Sequence, residues 1–235
     1  LEKDFRMIYY DQRACGQSAI PSADSININF LVDDLEGIRK EFKIEKLNLL
    51  AHSWGAVLAT HYALKYPDRI RKIIFSNPAF LSRDYDKEAG ELTRKKTTKE
   101  DSTQRAAVMA AGMNMTSAQI EQLFKISFRV SAFNRKNIDK LNVNIPDNFQ
   151  KANRNLFGGL MKDPEMQKNL YESLPLLKFP ALIIHGDADI LPMASINRLK
   201  NGLPKGELVV LRECGHFPFI EDQENYLAVV SAFLK

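Results

Sequence analysis

Leu47 to Ala63 reads LNLLAHSWGAVLATHYA, and the rest of the chain is interpreted outward from it. Leu47, Leu49 and Leu50 supply the apolar run of a buried strand. Ala56, Val57, Ala59 and Ala63 supply a helix narrow enough to lie against a sheet. Between them stands Ser53, flanked by the small residues Ala51 and Gly55. A serine at such a strand-to-helix turn sits on strained backbone, which lifts its hydroxyl clear of the sheet, and small neighbours two residues away let the chains pass. A plain helix N-cap is the common alternative for a serine in this place.

Upstream, FRMIYYD (5 to 11) is rich in aromatic and β-branched types and predicts a strand buried on both faces. Gln12, Arg13, Gly16, Gln17 and Ser18 make a loop that Pro21 closes. Leu31, Leu35, Ile38 and Phe42 then repeat at steps of four, three and four, the period of an amphipathic helix with Asp33, Asp34 and Glu36 near its positive end. Downstream, RKIIFSNPAF gives a strand closed by Asn77 and Pro78. Strands alternating with helices through short connections imply α/β architecture with a mostly parallel sheet.

From Leu81 the pattern changes. Thr116 and Gln119 form a capping-box start to a helix with Ile120, Leu123 and Phe124 on one face, and Asp163-Pro164-Glu165 reads as the start of another. Arg83 to Arg105 is polar enough to predict a mobile connector. The strand pattern returns in FPALIIHG (179 to 186). A helix around Ser195 to Lys200, the strand GELVVLREC (206 to 214) and a helix from about Glu221 to Leu234 follow, the last with Tyr226, Val230 and Phe233 inward. The expected organisation is a core over 1–80, a helical cap over 81–176, and the rest of the core over 177–235.

Composition excludes several classes. With 235 residues, 45% of them hydrophobic, the chain can bury one substantial core. No apolar run is long enough to span a membrane. Cys15 and Cys214 lack the number for a disulfide framework and the spacing of a zinc site, which points to the cytoplasm. The net charge of +4 is modest. Its basic excess lies between 81 and 178, mixed with acids and without a nucleic-acid motif, so it reads as a solvated face.

If Ser53 is a nucleophile, an acid and a base belong at the carboxyl ends of later strands, in the order Ser, Asp, His. ALIIHG runs into Asp187-Ala188-Asp189, and ELVVLREC into Gly215-His216. A neutral imidazole takes the serine proton effectively when a carboxylate holds its other nitrogen. Alone, His216 would read as an ordinary histidine. His52 and His185 are expected to shape the site rather than act as base.

These stretches together resemble the α/β-hydrolase superfamily and, within it, the proline iminopeptidase-like serine hydrolases. The resemblance rests on YYDQRACGQS, AHSWGA, NPA, HGDAD and GHFPFIED, which fall in the family's order along nearly all of the chain outside 81–176. It implies Ser53 as nucleophile, His216 as general base and acid, and Asp189 as the orienting acid, with Asp187 as runner-up. The Trp54 N–H would donate to the oxyanion. It implies no cofactor and no metal, and a small-molecule or short-peptide substrate. Two departures stand out. No His-Gly-Gly-Pro-like loop precedes residue 5, so a second oxyanion donor is missing and N-terminal strands are expected to lie outside this chain. The segment 81–176 lacks the Trp/Glu-rich motif that binds a free amino group; Glu121, Asp139 and Glu172 are its possible substitutes. Phe124, Phe128 and Phe133 are candidate pocket walls, although their helical spacing suits the cap's own core better. An aminopeptidase, a carboxylesterase or other small acyl hydrolase, and an inactive hydrolase fold used for binding are the three functional expectations.

Overall fold

The computed structural model describes residues 1–112 and 115–235; positions 113 and 114, inside the expected cap, lie outside the described residues. Four parallel strands form one sheet in the order β1 (Leu47–His52), β2 (Ile70–Ser76), β3 (Ala181–Gly186), β4 (Gly206–Leu211). Every residue of β3 is buried, whereas β1 and β4, at the edges, mix exposed and covered positions. A central strand covered on both faces explains why ALIIHG is a continuous apolar run rather than an alternation.

The two-residue period of the strands divides the core. Ile73, Phe75, Ala181 and Ile183 face α1 (Ile28–Glu41), α2 (Gly55–Lys65) and a later helix; Ile74, Leu182 and Ile184 face the other way, toward Tyr226 and Val230. Asn27 caps α1 by accepting from the Phe30 amide. Between α1 and α2, buried Glu36 takes both Arg39 donors at 2.7 and 2.8 Å and the Tyr62 hydroxyl at 2.8 Å. The Arg39 guanidinium, against the opposing cost of burial, pulls the Glu36 pKa down to about 2.

Among the described residues, 81–176 holds helices and no strand: α3 (Asp86–Lys96), α4 (Lys99–Met109), α5 (Ser117–Arg129) and α6 (Phe149–Lys162), with 3-10 turns at Arg135–Lys140, Pro164–Gln167 and Leu170–Leu176. Asp163 caps its turn through the Glu165 amide and also accepts from the Ile28 amide, so one carboxylate serves two helix starts. The core then closes with α7 (Met193–Gly202), the short α8 (Pro218–Glu221) and α9 (Gln223–Leu234).

Two expectations are corrected. Residues 5–11 form no strand: among the described residues β1 pairs with β2 alone, and 5–11 takes part in no ladder. Arg83 to Arg105 is not a connector but carries α3 and α4. A reciprocal capping box of Thr98 and Asp101 starts α4, and Arg135 pairs with buried Asp101. Local capping and ion pairs hold what apolar content does not.

Candidate active site

β1 ends in His52 and turns through Ser53 into α2, and Ser53 adopts φ = 52°, a left-handed conformation that costs a non-glycine residue energy. Its amide donates to the Ser76 carbonyl at 3.0 Å, and its own carbonyl accepts from Ala56 and Ala79, so the strained turn is tied to α2 and to the end of β2. The expectation that both flanking residues must be small is met unevenly. Ala51 is buried, but a Cβ built on Gly55 would stand 3.9 Å from that of Ala51, an ordinary contact. Trp54 follows as the N-cap of α2, and its N–H has no backbone acceptor among the described residues.

His216 and Asp189 meet. His216 Nδ1 lies 2.7 Å from Asp189 Oδ2, which also accepts from Asn77 Nδ2 at 2.9 Å, while Oδ1 accepts from the Ile190 and Leu191 amides at 2.6 and 3.3 Å. Burial works to raise the Asp189 pKa; the pairing with His216, and after it the Asn77 donor, outweigh it and hold the carboxyl below its ordinary range. Asp187 is exposed, and its carboxylate accepts only from the Cys214 amide, at 3.5 Å, among the described residues. The loops carrying Asp189 and His216 nearly touch: a Cβ on Gly186 would fall 2.3 Å from the Cys214 and Gly215 carbonyl oxygens.

Ser53 and His216 line one cavity of about 460 Å³ and are not joined by a recorded hydrogen bond; such bonds are often loose before substrate arrives. The remaining wall comes from 81–176, through Thr93, Asp101, Arg105 and Phe128, and from Ile190 and Leu191 beside Asp189. Of the three candidate phenylalanines only Phe128 reaches it. Phe124 packs one turn away against Phe128 and Phe149, and Phe133 is 52% exposed. Glu121, Asp139 and Glu172 are absent from the wall; Glu121 pairs with Lys125, and the other two are exposed.

The His52 ring lies 4.8 Å from that of His216, tilted by 51°, and burial, reinforced by that neighbour, pulls its pKa down to about 3. Burial also lowers that of His185. The lowered values favour the neutral form of both rings near neutral pH.

Several participants were not singled out from the sequence. Asn77, at φ = 43° and fully buried, closes β2 as the sequence predicts and also links Asp189 to the Gly215 carbonyl at 3.0 Å. Glu221 accepts from Gly215 of the histidine loop at 3.0 Å and from the Phe133 and Asn134 amides at 2.8 and 3.2 Å. The His216 amide donates to the Ser131 carbonyl at 2.8 Å, and Lys96 donates to the Ala188 carbonyl beside Asp189. An acid five residues after the histidine, inside GHFPFIED, was the available signal for Glu221. Nothing in spacing signals Lys96.

The family described as "alpha/beta hydrolase fold" matches residues 1–223. The chain belongs to that family. Among curated proteins it is similar to the proline iminopeptidase of Heyndrickxia coagulans, 25% identical over 250 residues, covering 100% of this chain and 83% of the relative. The proline iminopeptidase of Lactobacillus delbrueckii subsp. bulgaricus is 23% identical, covering 97% and 80%. Among solved structures, an α/β-fold family hydrolase from Bacillus anthracis superposes with a TM-score of 0.75 at 20% identity, over 94% of this chain and 80% of that one. This chain is therefore a hydrolase of α/β fold resembling the proline iminopeptidases, and no helix among its described residues is long and apolar enough to cross a membrane.

Proposed function

We propose that this hydrolase cleaves a small amide or ester through a serine acyl-enzyme, as a proline iminopeptidase-like aminopeptidase, with 81–176 acting as a helical cap over the site. In this reading Ser53 Oγ attacks the substrate carbonyl carbon while His216 takes its proton, and Asp189 holds the imidazole and stabilises the cation formed. The Trp54 N–H donates to the developing oxyanion. Collapse of the tetrahedral intermediate breaks the carbonyl bond to the leaving amine or alcohol, which receives the proton from His216; water, activated by the same imidazole, then frees the acid and restores Ser53. The observation that carries the reading is the 2.7 Å contact of His216 Nδ1 with buried Asp189, at the edge of a cavity that Ser53 also lines. Resemblance to two proline iminopeptidases along the whole chain supports the aminopeptidase form.

A second reading, a carboxylesterase, is favoured by one feature of the wall. An aminopeptidase needs a free carboxylate for the substrate's ammonium, and the only carboxylate lining the cavity among the described residues, Asp101, is already taken by Arg135 and Thr98. The deciding experiment sets prolyl and other aminoacyl arylamides against short-chain p-nitrophenyl esters, with a fluorophosphonate to label the nucleophile. Labelling that disappears in Ser53→Ala is expected. Failure of the wild type to label would leave the fold as a binding module only.

A further inference from the structure

We infer that the substrate carries an anionic group, a carboxylate, and that Arg105 on α4 receives it; this rests on the reading of Ser53 as nucleophile and applies to an amide or an ester alike. The cavity wall contains one carboxylate and one guanidinium, Asp101 and Arg105. They are not partners. Asp101 is buried and saturated: Oδ2 accepts from the Thr98 amide at 2.9 Å and the Thr98 hydroxyl at 2.8 Å, Arg135 reaches both oxygens, and Arg129 stands 3.9 Å from Oδ1. Burial pushes its pKa up, but these donors overcome that and hold it below the ordinary range, so the group stays an anion already neutralised by its own neighbours.

Arg105 is the opposite case. It makes no recorded ion pair, and its one recorded hydrogen bond goes to the neutral Ser127 hydroxyl at 3.1 Å. A guanidinium has five N–H donors in a planar fork that matches a carboxylate; Arg105 is exposed, and most of its donors have no protein partner among the described residues. Arg129 and Arg135 are held by Gln104 and Asp101, so their charge adds to the local field without competing for the ligand. Around Arg105 the wall offers neutral hydroxyls, Thr93, Ser102 and Ser127, while Phe128, Val130, Ile190 and Leu191 supply apolar contacts. A cavity of about 460 Å³ suits a small molecule with an apolar body and one negative end. A dicarboxylic half-ester has that form, and so does a short peptide whose leaving residue bears the free carboxylate.

The test uses the full chain. Sodium glutarate and 1,5-pentanediol, of equal carbon length, are compared as protectants against fluorophosphonate labelling. In parallel, kcat/KM is measured for p-nitrophenyl hydrogen glutarate against p-nitrophenyl butyrate, and for prolyl dipeptides against their C-terminal amides. Glutarate is expected to protect at about 5-fold lower concentration than the diol, the size of one partly exposed ion pair. The anionic member of one substrate pair should be favoured similarly through KM, and that pair tells which source of carboxylate is used. Arg105→Gln should erase both preferences and Arg105→Lys restore part of them. Labelled wild type without any preference for the anion, or preferences that survive Arg105→Gln, overturns this inference alone. A wild type that neither labels nor turns over any substrate overturns the proposed function with it.

Discussion

On the loop after β3, two aspartates stand two residues apart in very different surroundings. Asp189 is 7% exposed and spends both oxygens on His216, Asn77 and two backbone amides, whereas Asp187 faces solvent. Only a carboxylate that is fixed and stays ionised can set the tautomer of the imidazole. Asp189→Asn should therefore lower kcat about 10⁴-fold, and Asp187→Asn should change it by less than about 3-fold, as expected for an exposed group. Steady-state rates on whichever substrate is turned over decide this, and equal losses would reverse the assignment. His52 provides a control. With its pKa pulled down to about 3 it is too weak a base to take a serine proton near neutral pH, so His52→Phe should leave far more turnover than His216→Ala.

At the scale of elements, the pairing of α1 with α2 rests on Glu36, Arg39 and Tyr62. A carboxylate whose folded pKa is depressed stabilises the fold above its unfolded pKa, about 4.3, and loses that contribution as pH falls through its folded value of about 2. Urea midpoints of the wild type should decline between these limits. Glu36→Gln should flatten that decline while lowering stability at pH 7 by about 3 kcal/mol, since Arg39 is left buried without its counter-charge. A wild-type slope preserved in Glu36→Gln would assign the acid sensitivity elsewhere. The same scale shows what could be read in the sequence and what could not. The strands β1, β2 and β3, the helix after Ser53 and the capping box at Thr116 are legible because period and capping are local properties, and these stand where expected. Residues 5–11 have a strand's composition, but a strand exists only through its ladder, and pairing is a long-range fact. α3 and α4 were missed for the converse reason: Asp101 and Arg135 are 34 positions apart, and only folding makes them partners.

For the molecule as a whole, the decisive question is what fixes the segment 81–176 relative to the loops that carry the candidate acid and base. Three polar contacts do so at the points named above: Lys96 on the Ala188 carbonyl, the His216 amide on the Ser131 carbonyl, and the Glu221 carboxylate on the Phe133 and Asn134 amides. The fit leaves little slack, because a Cβ on Gly215 would lie 2.1 Å from the Ser131 carbonyl oxygen. Of the three, Glu221 is the one whose side chain bonds both sides, since it also accepts from Gly215. Its removal takes a charged acceptor from three amides, a bond worth about 1.5 kcal/mol for the partly buried Gly215 amide and less for the exposed Phe133 and Asn134 amides, which water can serve. Glu221→Ala is thus expected to speed hydrogen exchange at Phe133 and Asn134 at least tenfold while the β3 amides, buried in the centre of the sheet, keep their wild-type rates. If the segment acts as a cap, KM should rise more than kcat falls, because the wall that meets the substrate loosens while Asp189 and Asn77 still hold His216. Glu221→Gln retains one acceptor oxygen and should recover part of the protection. Wild-type exchange at Phe133 and Asn134 in Glu221→Ala would show that apolar packing of Phe128 on Phe217, at 5.1 Å between rings, carries the attachment instead.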